Sequence, residues 1–207
     1  EYHLQGVNQI PVDNHVGMTF ERGLRAILRH DPDVVMIGEI RDLETARAAT
    51  QAALTGHLVF STLHTNDAAT APMRLIDMGV EPYLICSTLI GSMAQRLIRK
   101  ICAKCKEEYA PDKAKLPPDF KLDRGETVSR GVGCPNCRNT GFRGRSGLYE
   151  LMVISDEVAD RIMHRAPTPE IVATALKSGL RLLRDDGWSK VRNGTTTVDE
   201  VLTCTAV

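Results

Sequence analysis

The stretch that decides the fold is Val34-Val35-Met36-Ile37-Gly38-Glu39-Ile40-Arg41-Asp42. Its first four residues are apolar and mostly β-branched, a pattern typical of a strand buried on both faces of a parallel sheet. A carboxylate, Glu39, follows the strand directly after Gly38. Asp42 can cap a helix that we predict over residues 43–54. The stretch therefore predicts a strand that carries an acidic group at its carboxyl end.

Helix and strand alternate on both sides of this stretch. An arginine-rich helix over residues 20–30 precedes it and is stopped by Asp31-Pro32. A second strand over 58–63 and a helix over 68–78 follow. Strands separated by single helices pair in parallel, so we expect an α/β fold. In such a fold the loops at the carboxyl ends of the strands form the ligand crevice.

The second strand also ends in polar residues, the run Ser61-Thr62-Leu63-His64-Thr65-Asn66-Asp67. Adjacent parallel strands would place Glu39 and His64 at one rim of the sheet. A carboxylate there can lie beside Mg²⁺ and an attacking water, and an imidazole can contact a phosphate. On spacing alone two alternatives stay open. Glu39 could be a solvated loop residue, and His64 could be a structural histidine.

Four cysteines form two tight pairs, Cys102-x-x-Cys105 and Cys134-x-x-Cys137. Two such pairs supply the four sulfurs of a tetrahedral zinc site, and a closed shell of four thiolates makes that zinc structural rather than catalytic. A composition with 25% charged residues disfavours disulfides, and a redox dithiol needs only one pair. A metal site that has been lost or replaced remains the alternative.

Composition excludes several classes of partner. Lysine plus arginine and aspartate plus glutamate both number 26, and aromatic residues make up 4% of the chain. A neutral chain with few aromatics offers neither the charge nor the stacking surface that nucleic-acid binding requires. No apolar run reaches the length of a membrane span. We therefore expect no nucleic-acid partner and no direct membrane insertion.

Five strings in the chain resemble the bacterial ATPases that drive type II secretion and type IV pilus assembly. They are Leu24–Asp33, Gly38–Ala46, Thr55–His57, Ser61–Ala68 and Ala94–Leu97. The resemblance implies a RecA-like nucleotide domain in a cytoplasmic homo-hexamer that is peripheral to the bacterial inner membrane. It also implies two protein partners, an inner-membrane platform protein and a cytoplasmic recruiting protein. ATP and Mg²⁺ are the implied cofactors of the full-length protein.

The resemblance also assigns roles to individual residues. Glu39 matches the Walker B glutamate that polarises the attacking water. His64, and less closely His57, match histidines that sense the γ-phosphate. The arginines that match phosphate-contacting residues of the family are Arg25, Arg29 and Arg145. From the residues alone, the four-residue spacing of the first two arginines is equally typical of a solvated helix face.

The same resemblance divides the chain into three parts. Residues 1–100 are expected to form the C-terminal part of the RecA-like domain. Residues 101–145 are expected to form the four-cysteine zinc subdomain, an insert that belongs to the secretion and pilus-extension members of the family. Between the cysteine pairs we expect a mobile connector or a small hairpin. Residues 146–207 should return as a strand followed by a helical domain.

One family element has no counterpart in the sequence. The chain contains no G-x-x-x-x-G-K-[ST] phosphate loop, and Glu1-Tyr2 resembles the end of the acidic box that follows that loop. We therefore expect the chain to be the C-terminal fragment of a longer ATPase, inactive on its own. The alternative function is a zinc-dependent protein-interaction module on a degenerate RecA-like lobe with no hydrolytic role.

Overall fold

A computed structural model describes residues 3–123 and 125–206, so the predicted acidic-box residues Glu1 and Tyr2 lie outside it. The helices are α1 (Phe20–Ile27), α2 (Leu43–Leu54), α3 (Thr70–Asp77), α4 (Pro82–Thr88), α5 (Asp156–Met163), α6 (Thr168–Lys177), α7 (Leu183–Arg192) and α8 (Val198–Thr205). The strands are β1 (Val34–Ile37), β2 (Leu58–Ser61), β3 (Gly91–Ile101), β4 (Lys106–Tyr109), β5 (Val128–Gly131) and β6 (Phe142–Val153).

The chain divides into two compact units. The first comprises the described residues up to Thr65 together with Thr70–Ile90 and Ile154–Ile171. The second comprises Asn66–Ala69, Gly91–Val153 and the described residues from Val172 onward.

The first unit is built on the parallel pair β1 and β2, whose register runs from Val34 opposite Leu58 to Ile37 opposite Ser61. Helix α2 connects the two strands, and its alanine-rich face is buried. The Asp42 carboxylate caps this helix by accepting the Thr45 N–H at 2.8 Å. The predicted strand–helix–strand order and the limits of α2 are therefore confirmed.

Burial of β1 differs from the expectation. Val35 and Ile37 are buried, whereas Val34 and Met36 are 55% and 67% exposed. In β2, Phe60 is 54% exposed. The expectation of a strand buried on both faces is wrong, because the described residues cover only one face of this two-stranded sheet.

The second unit is built on the long antiparallel pair β3 and β6, which runs from Gly91 opposite Val153 to a bulge near Ile101. One face of this pair is buried, with Ile98, Leu148 and Met152 all at 0% exposure. The sequence predicts the strand at β6 but not the one at β3.

The segment between the cysteine pairs is packed. Strands β4 and β5 form an antiparallel hairpin, as one of the two alternatives predicted. Phe120, in the loop of this hairpin, is 2% exposed and its ring lies 4.8 Å from that of Trp188 in α7. The Trp188 indole N–H donates to the Asp119 carboxylate at 3.1 Å. These contacts hold the described part of the loop around Phe120 against α7.

Helix α8 is tied to β3 by a buried carboxylate. Glu200 is 7% exposed and accepts hydrogen bonds from the Arg99 backbone N–H at 2.9 Å and from the Arg99 guanidinium at 2.7 Å. The Arg99 side chain is the main cause that lowers the pKa of Glu200 below its ordinary value of 4.5. The ionised pair therefore contributes to the stability of the second unit.

Glu200→Gln should lower the free energy of unfolding at pH 7 by about 1.5–3 kcal/mol, the range for a hydrogen bond to a charged group. Because the pKa of Glu200 is lowered on folding, its contribution is present above pH 4.5 and is lost as the pH falls through the lowered value. The difference between wild type and Glu200→Gln should therefore shrink in acid.

Urea unfolding of wild type and Glu200→Gln at several pH values between about 3 and 7 measures this difference in the free energy of unfolding. This range brackets the ordinary carboxyl pKa of about 4. Glu107→Gln, which removes an exposed ion pair with Arg130, is the matched control and should change stability by less than about 0.5 kcal/mol. Equal effects of the two substitutions at pH 7 would contradict the assignment.

Candidate functional site

The carboxyl ends of β1 and β2 stay joined beyond the last strand residues. The Ile40 N–H donates to the Thr62 carbonyl at 3.0 Å, and the Thr62 hydroxyl donates to the Gly38 carbonyl at 2.7 Å. These two bonds hold the loops that follow the strands side by side. Glu39, which lies between Gly38 and Ile40, is therefore held beside Thr62, two residues before His64.

Glu39 and His64 meet at this rim. The His64 Nε2 lies 3.2 Å from the Glu39 Oε2. Glu39 is partly covered, with 23% of its side chain exposed, whereas the His64 side chain is 81% exposed. The structure thus brings together the two residues that the sequence predicted to share one rim, and it leaves the imidazole accessible.

Arg41 is a third member of this cluster that the sequence reasoning did not assign. Its Nε lies 2.6 Å from the same Glu39 Oε2. The hydrogen bond from Arg41 is the largest cause that lowers the pKa of Glu39, and the His64 imidazole lowers it further while partial burial opposes both. The sequence does contain a signal for this pair, because Arg41 is a cation only two residues after the carboxylate of Glu39 on the same loop. At neutral pH Glu39 is ionised.

The other predicted site residues lie elsewhere. Arg25 is 71% exposed on α1 and pairs with Glu21 at 2.6 Å, and Arg29 is exposed in the turn that follows. Among the described residues, no hydrogen bond or ion pair joins either arginine to Glu39 or to His64. Both arginines are therefore exposed to solvent in the described chain.

His57 is engaged at the end of α2. Its Nδ1 lies 3.0 Å from the Ala52 carbonyl oxygen and 3.0 Å from the Thr55 hydroxyl. A neutral ring that donates from Nδ1 to the Ala52 carbonyl leaves Nε2 as an acceptor. Arg145, in the second unit, is exposed on β6 opposite Arg99.

The four predicted metal ligands converge in the second unit. The Sγ atoms of Cys102, Cys105, Cys134 and Cys137 all lie within 4.8 Å of one another. The closest approaches are 3.8 Å for the Cys105–Cys137 and Cys134–Cys137 pairs. Zinc–sulfur bonds of about 2.3 Å in a tetrahedron require sulfur separations of about 3.8 Å. The closest sulfur pairs therefore have the separation of a four-thiolate zinc site, the cluster is compatible with zinc binding, and all four cysteines are free of disulfides.

Backbone N–H groups surround these sulfurs. Cys134 and Gly141 each direct an N–H to the Cys137 Sγ at 3.3 Å. Burial raises the pKa of the Cys137 thiol, but these N–H donors outweigh it and lower the pKa to about 6. These donors thus favour a thiolate, the form that binds metal, at Cys137, whereas burial raises the pKa of Cys105 to about 12.

The fold is similar to that of solved ATPase structures. The pilus retraction motor PilT with bound ADP aligns with a TM-score of 0.63 at 26% identity, over 91% of this chain and 44% of that one. The Legionella pneumophila ATPase DotB aligns with a TM-score of 0.60 at 24% identity, over 89% of this chain and 42% of that one. The chain therefore has the α/β fold of this class of ATPase structures.

The family follows from the sequence comparison. Residues 1–203 match the profile of the type II/IV secretion system protein family, and the chain belongs to that family. Type II secretion system protein E of Pseudomonas aeruginosa is 50% identical over 99% of this chain, and type II secretion system ATPase E of Vibrio cholerae is 48% identical over 99%. The type IV pilus assembly ATPase PilB of Thermus thermophilus is 48% identical over 98%.

The chain spans 41% of the length of the first two relatives and 23% of the third. Among the described residues, no helix is both long and apolar enough to cross a membrane.

Arg41→Gln should raise the pKa of Glu39, since it removes the largest stabilising contact of the carboxylate. His64→Ala should raise it by less. The measurement is the pH dependence of the Glu39 carboxyl ¹³C shift by NMR. Arg47→Gln, a surface change on α2, serves as the control and should leave the titration unchanged. An identical Glu39 titration in wild type and Arg41→Gln would contradict the geometry.

Proposed function

We propose that the chain is the C-terminal part of a hexameric motor ATPase that couples ATP hydrolysis to assembly of a type II secretion pseudopilus or a type IV pilus. The observation that carries this proposal is the contact of Glu39 with His64 at the rim of a parallel sheet, in a chain of the type II/IV secretion family. The related ATPases of secretion and of pilus assembly support the motor role. Residues 1–100 then form the C-terminal part of a RecA-like domain.

In this proposal Glu39 orients the water that attacks the γ-phosphate. Its pKa is lowered, so it is ionised at neutral pH and accepts hydrogen bonds. A carboxylate with a low pKa is a weak proton acceptor, and phosphoryl transfer depends mainly on positioning and charge stabilisation. Mg²⁺, when bound with ATP, supplies charge neutralisation at the phosphates. Glu39 therefore acts as an orienting residue rather than as a strong base.

His64 is proposed to contact the γ-phosphate. A phosphate oxygen only accepts hydrogen bonds, so the imidazole must donate an N–H to it. A neutral His64 that donates from Nε2 to Glu39 has an acceptor at Nδ1. Contact with phosphate from Nδ1 therefore requires a doubly protonated ring, whereas contact from Nε2 requires release of Glu39. The exposed position of His64 leaves both routes open.

The remaining residues would complete the nucleotide site in the assembled protein. We assign Arg25, Arg29 and Arg145 to phosphate contacts, because guanidinium groups pair well with phosphate oxygens and all three are exposed. His57 would contribute as a doubly protonated ring that donates from Nε2, since its Nδ1 is engaged at the end of α2.

The proposal places the full-length protein in the cytoplasm, bound to the inner membrane through a platform protein and a recruiting protein. The 207-residue chain contains no phosphate-loop motif, so we propose that it hydrolyses ATP negligibly by itself. Activity therefore has to be tested in the full-length protein.

Glu39→Gln in the full-length protein should lower kcat by about 100-fold or more, because the neutral amide holds the attacking water by a weaker hydrogen bond and in a less favourable orientation than the carboxylate does. The binding of ATP should change little. Steady-state ATP turnover and nucleotide binding measure the two effects separately.

Glu44→Gln is the matched control for this experiment. It removes the same charge from an exposed site in the first turn of α2, five positions along the chain from Glu39. Its turnover should equal that of wild type. Full turnover in Glu39→Gln would contradict the motor assignment and favour the interaction-module alternative, which assigns no chemistry to this rim.

We propose that residues 101–145 bind one structural zinc ion through the four cysteines. The sulfur separations, the backbone N–H donors and the absence of disulfides among these cysteines support this site. Structural zinc stabilises the fold of the segment that binds it. The four-cysteine cluster is also what the second candidate function, a zinc-dependent interaction module, requires. That function does not involve Glu39.

Purified wild-type chain should contain one equivalent of zinc by elemental analysis. Replacing both Cys102 and Cys105 with serine should remove the metal and expose the amides of residues 101–145 to hydrogen exchange. Cys86→Ser, at a cysteine outside the cluster, is the control and should retain the metal. Wild-type chain that binds no zinc when refolded with it would exclude the metal site.

A further inference from the structure

Asn136 contacts the four-cysteine cluster without being one of its cysteines. It lies between Pro135 and Cys137, inside the second cysteine pair. Its side-chain Nδ2 donates across the cluster to the Sγ of Cys102, a member of the first pair, at 3.4 Å. The Asn136 amide therefore links the two cysteine pairs through a hydrogen bond to sulfur.

Arg143 fixes which end of the Asn136 amide faces that sulfur. Its Nη1 donates to the Asn136 Oδ1 and, at 3.2 Å, to the Asn136 carbonyl oxygen. A guanidinium has only hydrogen-bond donors, so the amide atom that faces it must be the oxygen. The reversed amide would place its NH₂ group against Arg143 and its oxygen against Cys102. Arg143 therefore directs the NH₂ group to the sulfur.

A hydrogen bond to the Cys102 sulfur matters most when that sulfur is a thiolate, which is the form of cysteine that binds metal. Four thiolates carry more negative charge than one Zn²⁺ neutralises, so each sulfur of such a site remains a charged acceptor. Hydrogen bonds to a charged acceptor are about twice as strong as those between neutral groups. The Asn136 N–H thus stabilises the Cys102 thiolate and restricts where its sulfur can lie.

The whole network belongs to one compact unit. Asn136, Arg143 and the four cysteines all lie within Gly91–Val153 of the second unit. Arg143 is exposed on β6, and Asn136 is half-buried beside the sulfurs. The guanidinium therefore connects β6 to the turn that carries the second cysteine pair.

We propose that Asn136 is a positioning residue of the zinc site, oriented by Arg143, which holds the Cys102 thiolate in the geometry that zinc requires. The inference rests on the proposed zinc site. The turn over residues 134–137 then has two purposes, because it provides two sulfurs of its own and also orients a sulfur of the other pair.

The first test measures the zinc affinity of the refolded 207-residue chain by competition with a chromophoric chelator. Asn136→Ala removes the donor and should weaken zinc binding by about tenfold or more, as for other residues that orient a metal ligand. Asn136→Asp should weaken it further, because a carboxylate oxygen then faces the thiolate. Arg143→Gln should also weaken it, since the amide is no longer fixed in one orientation.

Lys104→Gln is the matched control for charge. Lys104 is exposed and lies between the two cysteines of the first pair, so this change also removes one cation near the cluster. It leaves Asn136 and Arg143 in place, and zinc affinity should stay within about threefold of wild type, as for an exposed surface charge. Equal losses in Lys104→Gln and Arg143→Gln would reduce the effect of Arg143 to net charge and overturn the proposal.

A second measurement detects the hydrogen bond itself. In the chain loaded with ¹¹³Cd²⁺ in place of zinc, an N–H that donates to a metal-bound sulfur shows scalar coupling to the metal by NMR. Wild type should show this coupling at the Asn136 NH₂ group and at the Gly141 backbone N–H, which donates to the Cys137 Sγ at 3.3 Å. Arg143→Gln should lose the coupling at Asn136 and keep the coupling at Gly141.

The outcomes separate the role of Asn136 from the zinc site itself. A wild-type chain that binds neither zinc nor cadmium would overturn both. Bound cadmium without coupling at Asn136, or wild-type zinc affinity in Asn136→Ala, would overturn the positioning role and leave the four-cysteine site intact. The wild-type cadmium spectrum requires no substitution, so it decides the inference even where Asn136→Ala fails to fold.

Discussion

The parallel pairing of β1 with β2 is the constraint on which the candidate site depends. Parallel strands end at the same edge of a sheet, and two hydrogen bonds beyond the strand ends keep the following loops together. Glu39 and His64 meet for this reason, although 24 residues separate them in the chain. The polar cluster at the rim is thus a consequence of topology rather than of local sequence.

Features with local signals were predictable from the sequence. The apolar run before Glu39, the Asp42 cap and the terminal Gly56 define β1 and α2, and the structure has both at the predicted limits. The cysteine spacing likewise predicted a cluster of four sulfurs. Each of these features is encoded within a few residues by burial, capping or ligand geometry.

Features that depend on distant partners were not predictable. Strand β3 alternates weakly, with Arg99 and Lys100 near its end, and its extended form results from pairing with β6. The hairpin loop appeared mobile by composition, but Phe120 packs on Trp188, which lies in a helix near the other end of the chain.

The central claim is that the Glu39–His64 rim faces the transferred phosphate. Solid-state NMR of the full-length protein with Mg²⁺ and a non-hydrolysable ATP analogue measures the distance from the γ-phosphorus to the nitrogens of His64. The account predicts strong phosphorus–nitrogen dipolar coupling at one His64 nitrogen, as for a hydrogen bond to a phosphate oxygen. Bound nucleotide with no coupling at either His64 nitrogen would contradict it.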